Sequence, residues 1–335
     1  MTERKRVLLL SPMLHPDGAA LLRSEVEVIE GWELDDDARA AALASAHGLA
    51  GGHAGTRDDI ERGALLQVIA SYGSGFELID LDAASRAGIL VVNAAGAQHT
   101  AVAEHAVGLM LALAKRIAWA DRTLHATGRF MERGRFTGDG WPGWPSQLRG
   151  KTVGIVGFGF IGRDLAEKCR LGFGMDVVAY DPFFDPDEAA RQHVELVDDL
   201  GRLLARSDFV SLHQPLTAET ARGFGRAQLA AMKPTAFLLN LSRGGTVDTD
   251  ALVDALRAGT IAGAALDVFD PEPLPDGHPL YDFDNVVLTP HIGGWVAESM
   301  SALATTTARE ILRALRGERP FRLVNPEAWS VRRRG

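Results

Sequence analysis

Three ionisable residues follow apolar runs in the C-terminal half of the chain. Leu238-Leu239-Asn240-Leu241-Ser242 leads into Arg243-Gly244-Gly245. Ala264-Ala265-Leu266-Asp267 leads into Val268-Phe269-Asp270-Pro271-Glu272, and Val287-Leu288-Thr289-Pro290 into His291-Ile292-Gly293-Gly294. If these runs are strands of one open α/β sheet, the three residues leave it at the carboxyl edge, where such sheets bind ligands. A guanidinium holds a carboxylate through a bidentate fork and polarises a neighbouring ketone. An imidazole titrates near neutrality and can give a proton to a forming alkoxide. A carboxylate beside an imidazole fixes its tautomer and favours the protonated ring. Together the three fit hydride reduction of a 2-keto acid, in which a cofactor supplies the hydride and the chain the proton. Taken singly, each has an ordinary explanation: a surface or capping arginine, an exposed Pro-Glu-Pro turn, a satisfied loop histidine. Their order and shared position at strand ends carry the reading.

Upstream, VGIVGFGFIGRDLAEKCRLGFGMDVVAYD spans Val153 to Asp181. The apolar run Val153-Gly154-Ile155-Val156 reads as a buried strand. Gly157, Gly159 and Gly162 then follow in G-x-G-x-x-G spacing, with a helical segment through about Arg170 and a second apolar run, Val177 to Tyr180. This is the dinucleotide-binding fingerprint in its expected setting. Gly157 allows the tight turn, Gly159 lets backbone approach a pyrophosphate, and Gly162 lets helix pack on strand. The helix N-terminus offers its free N–H groups to phosphate. Asp181 stands about twenty residues on, where a carboxylate accepts from ribose hydroxyls and repels a 2′-phosphate. Pro182-Phe183-Phe184 supply no cation, and the next basic residue is Arg191. NAD is therefore favoured over NADP.

These groups need a scaffold, and the chain shows β/α alternation on both sides of the fingerprint. Before it, strands are expected at Arg6–Leu10, Val26–Ile29, 49–53, Leu66–Ala70 and Ile89–Asn93. Helices are expected at His15–Arg23, Ala38–Ala46, near Asp59–Gly63 and at Leu81–Arg86. This is an open α/β domain without a fingerprint. Thr100 to Ile117 reads as one long helix, apolar almost all round and so buried in its domain or against a partner. Residues 118–150, with Trp119, Trp141 and Trp144, show little periodicity and read as an arm on a second subunit or a loop covering their own domain. Beyond the fingerprint, alternation continues to Asn285–Leu288, and Glu298–Arg316 reads as a final long helix. The expected class is α/β with two doubly wound parallel sheets.

Bulk properties narrow the function. The 335 residues suffice for about two domains. A net charge of −9 argues against nucleic acid as the main partner. Cys169 is the single cysteine, so an intrachain disulfide and a multi-cysteine metal site are excluded; no metal is expected. Ser11-Pro12 ends the first apolar run too early for a signal-peptide core. No stretch approaches the ~20 apolar residues that span a bilayer. The expected setting is the cytoplasm.

The chain resembles the D-isomer-specific 2-hydroxyacid dehydrogenases, the group that includes D-3-phosphoglycerate dehydrogenase and glyoxylate/hydroxypyruvate reductases. The resemblance runs from Gly73-Ser74-Gly75 and Ile79-Asp80-Leu81 through Val102-Ala103-Glu104-His105, Leu148-Arg149-Gly150-Lys151-Thr152-Val153-Gly154 and the fingerprint. It continues at Ser211-Leu212-His213-Gln214-Pro215-Leu216-Thr217, Met232-Lys233-Pro234, Ser242-Arg243-Gly244-Gly245, Asp267-Val268-Phe269 and Thr289-Pro290-His291. It implies a carboxylate clamp at Arg243 and an acid–base relay of Glu272 and His291. It implies cofactor contacts at Phe160, Ile161, Gln214, Pro215, Leu241, Ser242 and Gly294, with Asp267 on the nicotinamide carboxamide. Backbone N–H groups of Ser74 and Gly75 would help hold a small 2-hydroxy- or 2-keto-acid substrate. The implied architecture is a Rossmann NAD-binding domain (100–289, arm about 118–150) inserted in a flavodoxin-like substrate domain (1–99 plus 290–335). The active site would be the cleft between them, and the assembly a homodimer.

Departures from the family pattern matter. Ser242 stands where alanine is common, and Trp295 is bulkier than its usual counterpart; it walls the substrate pocket or packs between domains. Formate dehydrogenases of this fold pair the histidine with glutamine, so Glu272 favours hydroxy-acid chemistry. The expectation from the sequence is a protein without the C-terminal regulatory domain of some phosphoglycerate dehydrogenases. An NAD(H)-sensing corepressor-like protein would keep the same Arg/Glu/His set; the absence of long disordered tails favours an enzyme. The substrate depends on loops around His53, Ser74 and Trp295 and stays open.

Overall fold

The computed structural model describes residues 4–51, 53–128 and 144–333. The chain divides into two units, Met1–Gln98 with Trp295–Gly335, and His99–Gly294.

In the first unit the short apolar runs are parallel strands, and all but the second in sequence are buried, which is why they read as continuous rather than alternating. They are β1 (Arg6–Leu9), β2 (Glu27–Glu30), β3 (Gly48–Ala50), β4 (Val68–Ala70) and β5 (Leu90–Val92), in the order β2-β1-β3-β4-β5. That is the flavodoxin-like order. The connecting helices are α1 (Pro16–Arg23), α2 (Asp36–Ser45), α3 (Arg57–Arg62) and α4 (Leu81–Arg86). Asp35, Thr56 and Asp80 cap three of them, accepting from Ala38, Asp59 and Ala83 N–H, which satisfies donors that a helix start otherwise leaves open.

The second unit opens with α5 (His99–Lys115) and α6 (Ile117–Thr127). Then come β6 (Thr152–Val156), α7 (Phe160–Glu167), β7 (Asp176–Tyr180), α8 (Pro186–Arg191), β8 (Glu195–Leu196), α9 (Leu200–Arg206) and β9 (Phe209–Leu212). The rest is α10 (Arg226–Ala231), β10 (Phe237–Asn240), α11 (Thr249–Arg257), β11 (Gly263–Leu266) and β12 (Val286–Leu288). The seven strands are parallel in the order β12-β11-β10-β9-β6-β7-β8. The order reverses between β6 and β9, the switch point at which such sheets bind dinucleotides. One core joins Ala106, Met110 and Leu113 of α5 to Ile155, Leu165 and Phe209; another joins Leu252 and Leu256 of α11 to Leu212, Leu238 and Leu266. The last helix, α12 (Ala297–Leu315), returns to the first unit, where Ala308, Ile311 and Leu312 pack with Val7, Val68 and Ala70. Among the described residues no helix is long and apolar enough to cross a membrane.

The structure corrects some expectations. The long helix stops at Lys115, because Arg116 adopts the left-handed conformation (φ 56°), and a second helix follows where little periodicity was read. None of the residues of α6 is buried, so no apolar stripe marks it. The helix after the fingerprint widens into a π-turn over Lys168–Gly172. Helix α8 was not foreseen, although Asp185 caps it and Pro186 opens it. Residues 129–143 of the expected arm, with Trp141, lie outside the described residues. The division after β12 falls at Gly294 rather than at residue 289, for a reason visible at the site below.

Candidate active site

At the switch point, the turn after β6 is built by glycines for distinct reasons. Gly157 has φ 93°, and a Cβ there would lie 2.7 Å from Gln214 N and His213 C, so the turn runs against the end of β9. A Cβ on Gly162 would lie 2.4 Å from Gly157 O, which lets α7 seat on the turn. A Cβ on Gly159 would meet nothing within 4 Å. Gly159 is the N-cap of α7 and no side chain caps that helix, so its first N–H groups face an open cradle suited to a pyrophosphate. Asp181, just past β7, accepts from Phe158 N (2.9 Å) and Phe183 N (3.0 Å). Each carboxylate oxygen keeps capacity for a ribose hydroxyl. Phe160 is exposed and Ile161 half-buried at the helix start. These residues fit a dinucleotide.

Arg243 leaves β10 on a tightly held backbone. Its carbonyl accepts from Asn240 Nδ2 (2.9 Å) and Thr246 Oγ1 (2.7 Å). Asn240 Oδ1 accepts in turn from Ser242 N (3.1 Å) and Ser242 Oγ (2.9 Å). Asn240, Ser242 and Thr246 are buried, and a satisfied buried network of this kind favours one geometry. The Ser242 hydroxyl, expected along the cofactor, thus belongs to the support of Arg243. The following glycine makes a close approach: a Cβ on Gly244 would lie 1.8 Å from Phe269 O. The arginine loop therefore rests on the backbone three residues before Glu272.

The histidine follows β12, two strands away from β10 in the sheet. β10, β11 and β12 are adjacent and in register, Asn240 with Leu266 and Leu266 with Leu288. His291 follows β12 with φ 55°, a left-handed conformation that costs an ordinary residue about 1–2 kcal/mol. Asp267, at the end of β11, holds it there. Oδ1 accepts from Thr289 Oγ1 (2.6 Å) and Ile292 N (3.0 Å), and Oδ2 from Gly293 N (2.8 Å). These bonds tie residues 289–293 to β11, which is why the second unit extends to Gly294. Burial opposes the charge of Asp267, but hydrogen bonds from His105, Thr289, Gly293 and Ile292 outweigh it and hold the carboxyl below its ordinary range. Oδ2 retains room for one further donor, such as a cofactor amide. Nδ1 of His291 lies 2.7 Å from Oε1 of Glu272. The other oxygen, Oε2, accepts from Phe269 N at 3.4 Å. Both side chains are partly exposed, at 47% and 39%, so this is an accessible pair.

The remaining predicted residues are placed as follows. Gln214 is half-buried and Pro215 exposed just past β9; Leu241 and Gly294 are buried. Ser74, exposed, and Gly75 follow β4 in the first unit, and Asn93 Nδ2 donates to the Ser74 carbonyl (2.9 Å). Trp295 is 67% exposed. Cys169 is buried and its thiol is pushed up to about 12, which makes it unreactive. Sequence reasoning overlooked Asn240, Thr289 and His105, whose only signal was their place in the segments quoted above, and Thr246, which lies one residue past Gly245. It also overlooked His213. There Nε2 lies 2.8 Å from Ser211 Oγ, Nδ1 is buried, and burial pushes the imidazole down to about 3.

Residues 107–293 match the family model described as D-isomer specific 2-hydroxyacid dehydrogenase, NAD binding domain. The chain is 40% identical over 320 residues to D-3-phosphoglycerate dehydrogenase of Methanocaldococcus jannaschii, covering 95% of this chain and 59% of that protein. It is 44% identical over 271 residues to glyoxylate reductase of Thermofilum pendens, covering 80% and 77%. The holo form of Rhodotorula graminis D-mandelate dehydrogenase superposes with a TM-score of 0.86 at 30% identity, covering 96% of this chain and 98% of that one. The chain thus spans less than two thirds of the length of the first curated phosphoglycerate dehydrogenases it matches.

Proposed function

The chain belongs to the D-isomer specific 2-hydroxyacid dehydrogenase family, and from that premise we propose that it is an NAD-dependent oxidoreductase interconverting a D-2-hydroxyacid and its 2-keto acid. The observation that carries the reading is the 2.7 Å His291–Glu272 pair. It stands on the same sheet as the dinucleotide turn, one strand from the loop that presents Arg243.

When bound, NADH would supply the hydride; Gly159 and the first turn of α7 would hold its pyrophosphate, and Asp181 its adenosine ribose. Arg243 holds the substrate carboxylate through its fork and polarises the C2 carbonyl. Glu272 occupies Nδ1 of His291, which leaves Nε2 as the atom that gives its proton to the forming alkoxide. The hydrogen bond to Glu272 fixes the orientation of the ring for that transfer. In the oxidative direction the same atoms act in reverse. The proposed setting is the cytoplasm and the proposed assembly a homodimer, which light scattering reads directly.

The substrate candidates follow from relatives named for 3-phosphoglycerate and glyoxylate. The test is NADH consumption with a panel of 2-keto acids: glyoxylate, hydroxypyruvate and its 3-phosphate, pyruvate, and branched and aromatic members. Turnover with one or more is expected. Tight NADH binding without turnover of any of them would overturn the proposal and point to a nucleotide sensor.

A further inference from the structure

Resting on the reading of His291 as proton donor, we propose that His105 is a positioning residue that fixes the turn carrying His291, acting through Asp267 and Thr289. His105 lies on α5, whose Ala103, Ala106, Leu109 and Met110 are buried in the core beneath the second sheet. Its Nε2 stands 3.1 Å from Thr289 Oγ1 and 3.5 Å from Asp267 Oδ1. The direction of the contact follows from the proton count. A hydroxyl has one proton, and Thr289 donates it to Asp267 at 2.6 Å. The imidazole must therefore be the donor, from Nε2–H, to an oxygen that has already donated.

The ring also touches the turn directly. A Cβ on Gly293 would lie 3.2 Å from His105 Cδ2 and 2.9 Å from Asp267 Oδ2. His105 thus backs the shell around one carboxylate: a threonine hydroxyl and two backbone N–H groups donate to Asp267, and the imidazole holds the hydroxyl from behind. Both N–H groups belong to the residues that immediately follow His291. A helix anchored in the core is a stiff support for such a shell, and a site depends on its support for its geometry. Removing the Nε2 donor takes away the support behind the Thr289 hydroxyl, and the left-handed backbone at His291 loses part of what holds it.

The test compares three substitutions in the full-length protein. His105→Gln carries an amide N–H at the reach of Nε2, His105→Asn carries one a methylene short, and His105→Leu has none. Supporting outcomes are a His105→Gln variant within about threefold of wild-type kcat and Asn and Leu variants about 10- to 100-fold lower, with the NADH Kd unchanged in all three. Amide exchange at Ile292 and Gly293 should quicken in the Asn and Leu variants and not in the Gln variant. The exchange readout needs no turnover, so it tests His105 even if wild type reduces no 2-keto acid, which would instead sink the proposed activity. Unchanged exchange and kcat in the Asn variant, or a Gln variant as impaired as Leu, overturns the inference. Should the Leu variant not fold, the Gln and Asn pair decides it alone.

Discussion

His291 and Glu272 hydrogen-bond at 2.7 Å although nineteen residues separate them, because each leaves the carboxyl end of one of two paired strands, β12 and β11. Replacing His291 with alanine should lower kcat for keto-acid reduction by about 10²–10⁴-fold, the usual scale of general acid–base help. Stopped-flow or steady-state NADH oxidation measures it, and an undiminished rate would remove His291 from the proton path. Glu272→Gln replaces the carboxylate on Nδ1 with a neutral amide, so kcat should fall, by less than in His291→Ala, with the NADH Kd little changed.

Arg243 is expected to act as a fork rather than as a point charge. Arg243→Lys keeps the charge and loses the bidentate geometry. Its kcat/KM for a keto acid should fall by at least about tenfold, and that of Arg243→Ala further, with the NADH Kd little changed. Lysine at wild-type efficiency would rule out the clamp.

Asp181 should set nucleotide choice. Asp181→Ala removes a ribose acceptor and the repulsion of a 2′-phosphate. It also frees Phe158 N–H, which Asp181 now accepts, so NADH should bind more weakly while the NADPH-to-NADH affinity ratio rises. Fluorescence titration with both nucleotides reads the ratio; no change in it would count against the assignment.

Gly244 is where the loops that carry Arg243 and Glu272 meet. With a Cβ 1.8 Å from Phe269 O, Gly244→Ala must push the Arg243 and Glu272 loops apart. The expected cost is about 1–3 kcal/mol or more of stability, with loss of activity beyond it. Gly245→Ala meets only side-chain atoms, of Leu216 at 3.2 Å and of Asp270 at 3.5 Å, and is the milder control. Denaturant unfolding of the two variants should separate them; equal stability would mean that the loops are not in contact.

His213 should mark the acid limb of stability. Burial puts it at about 3 in the fold against 6.5 when unfolded. Below pH 6.5 the unfolded chain takes up a proton that the native imidazole refuses until about pH 3, so stability falls as pH falls through that window. From pH 7 to 5 this one group predicts a loss of about 2 kcal/mol. In His213→Gln that slope should be shallower by the same amount in urea unfolding, and parallel curves would show that His213 titrates normally.

Much of this protein was legible in its residues. The glycines at 157, 159 and 162 and the acid at 181 announced a nucleotide turn, because each answers a local steric or electrostatic demand. The strands were legible as apolar runs bounded by turns, and Arg243, Glu272 and His291 as charged groups following them. Helix α6 was not, because it buries no residue, and neither was its separation from α5, which rests on one left-handed arginine. Only the folded sheet decided the rest. The pairing of β10, β11 and β12 places Asp267 under the His291 turn, and α5 brings His105 against it from 184 residues before Thr289. The hydroxyl of Ser242 turns to Asn240 rather than outward. Local chemistry can be read one segment at a time, but which donor faces which acceptor depends on strand order and helix packing between distant segments, and that is settled only when the core closes.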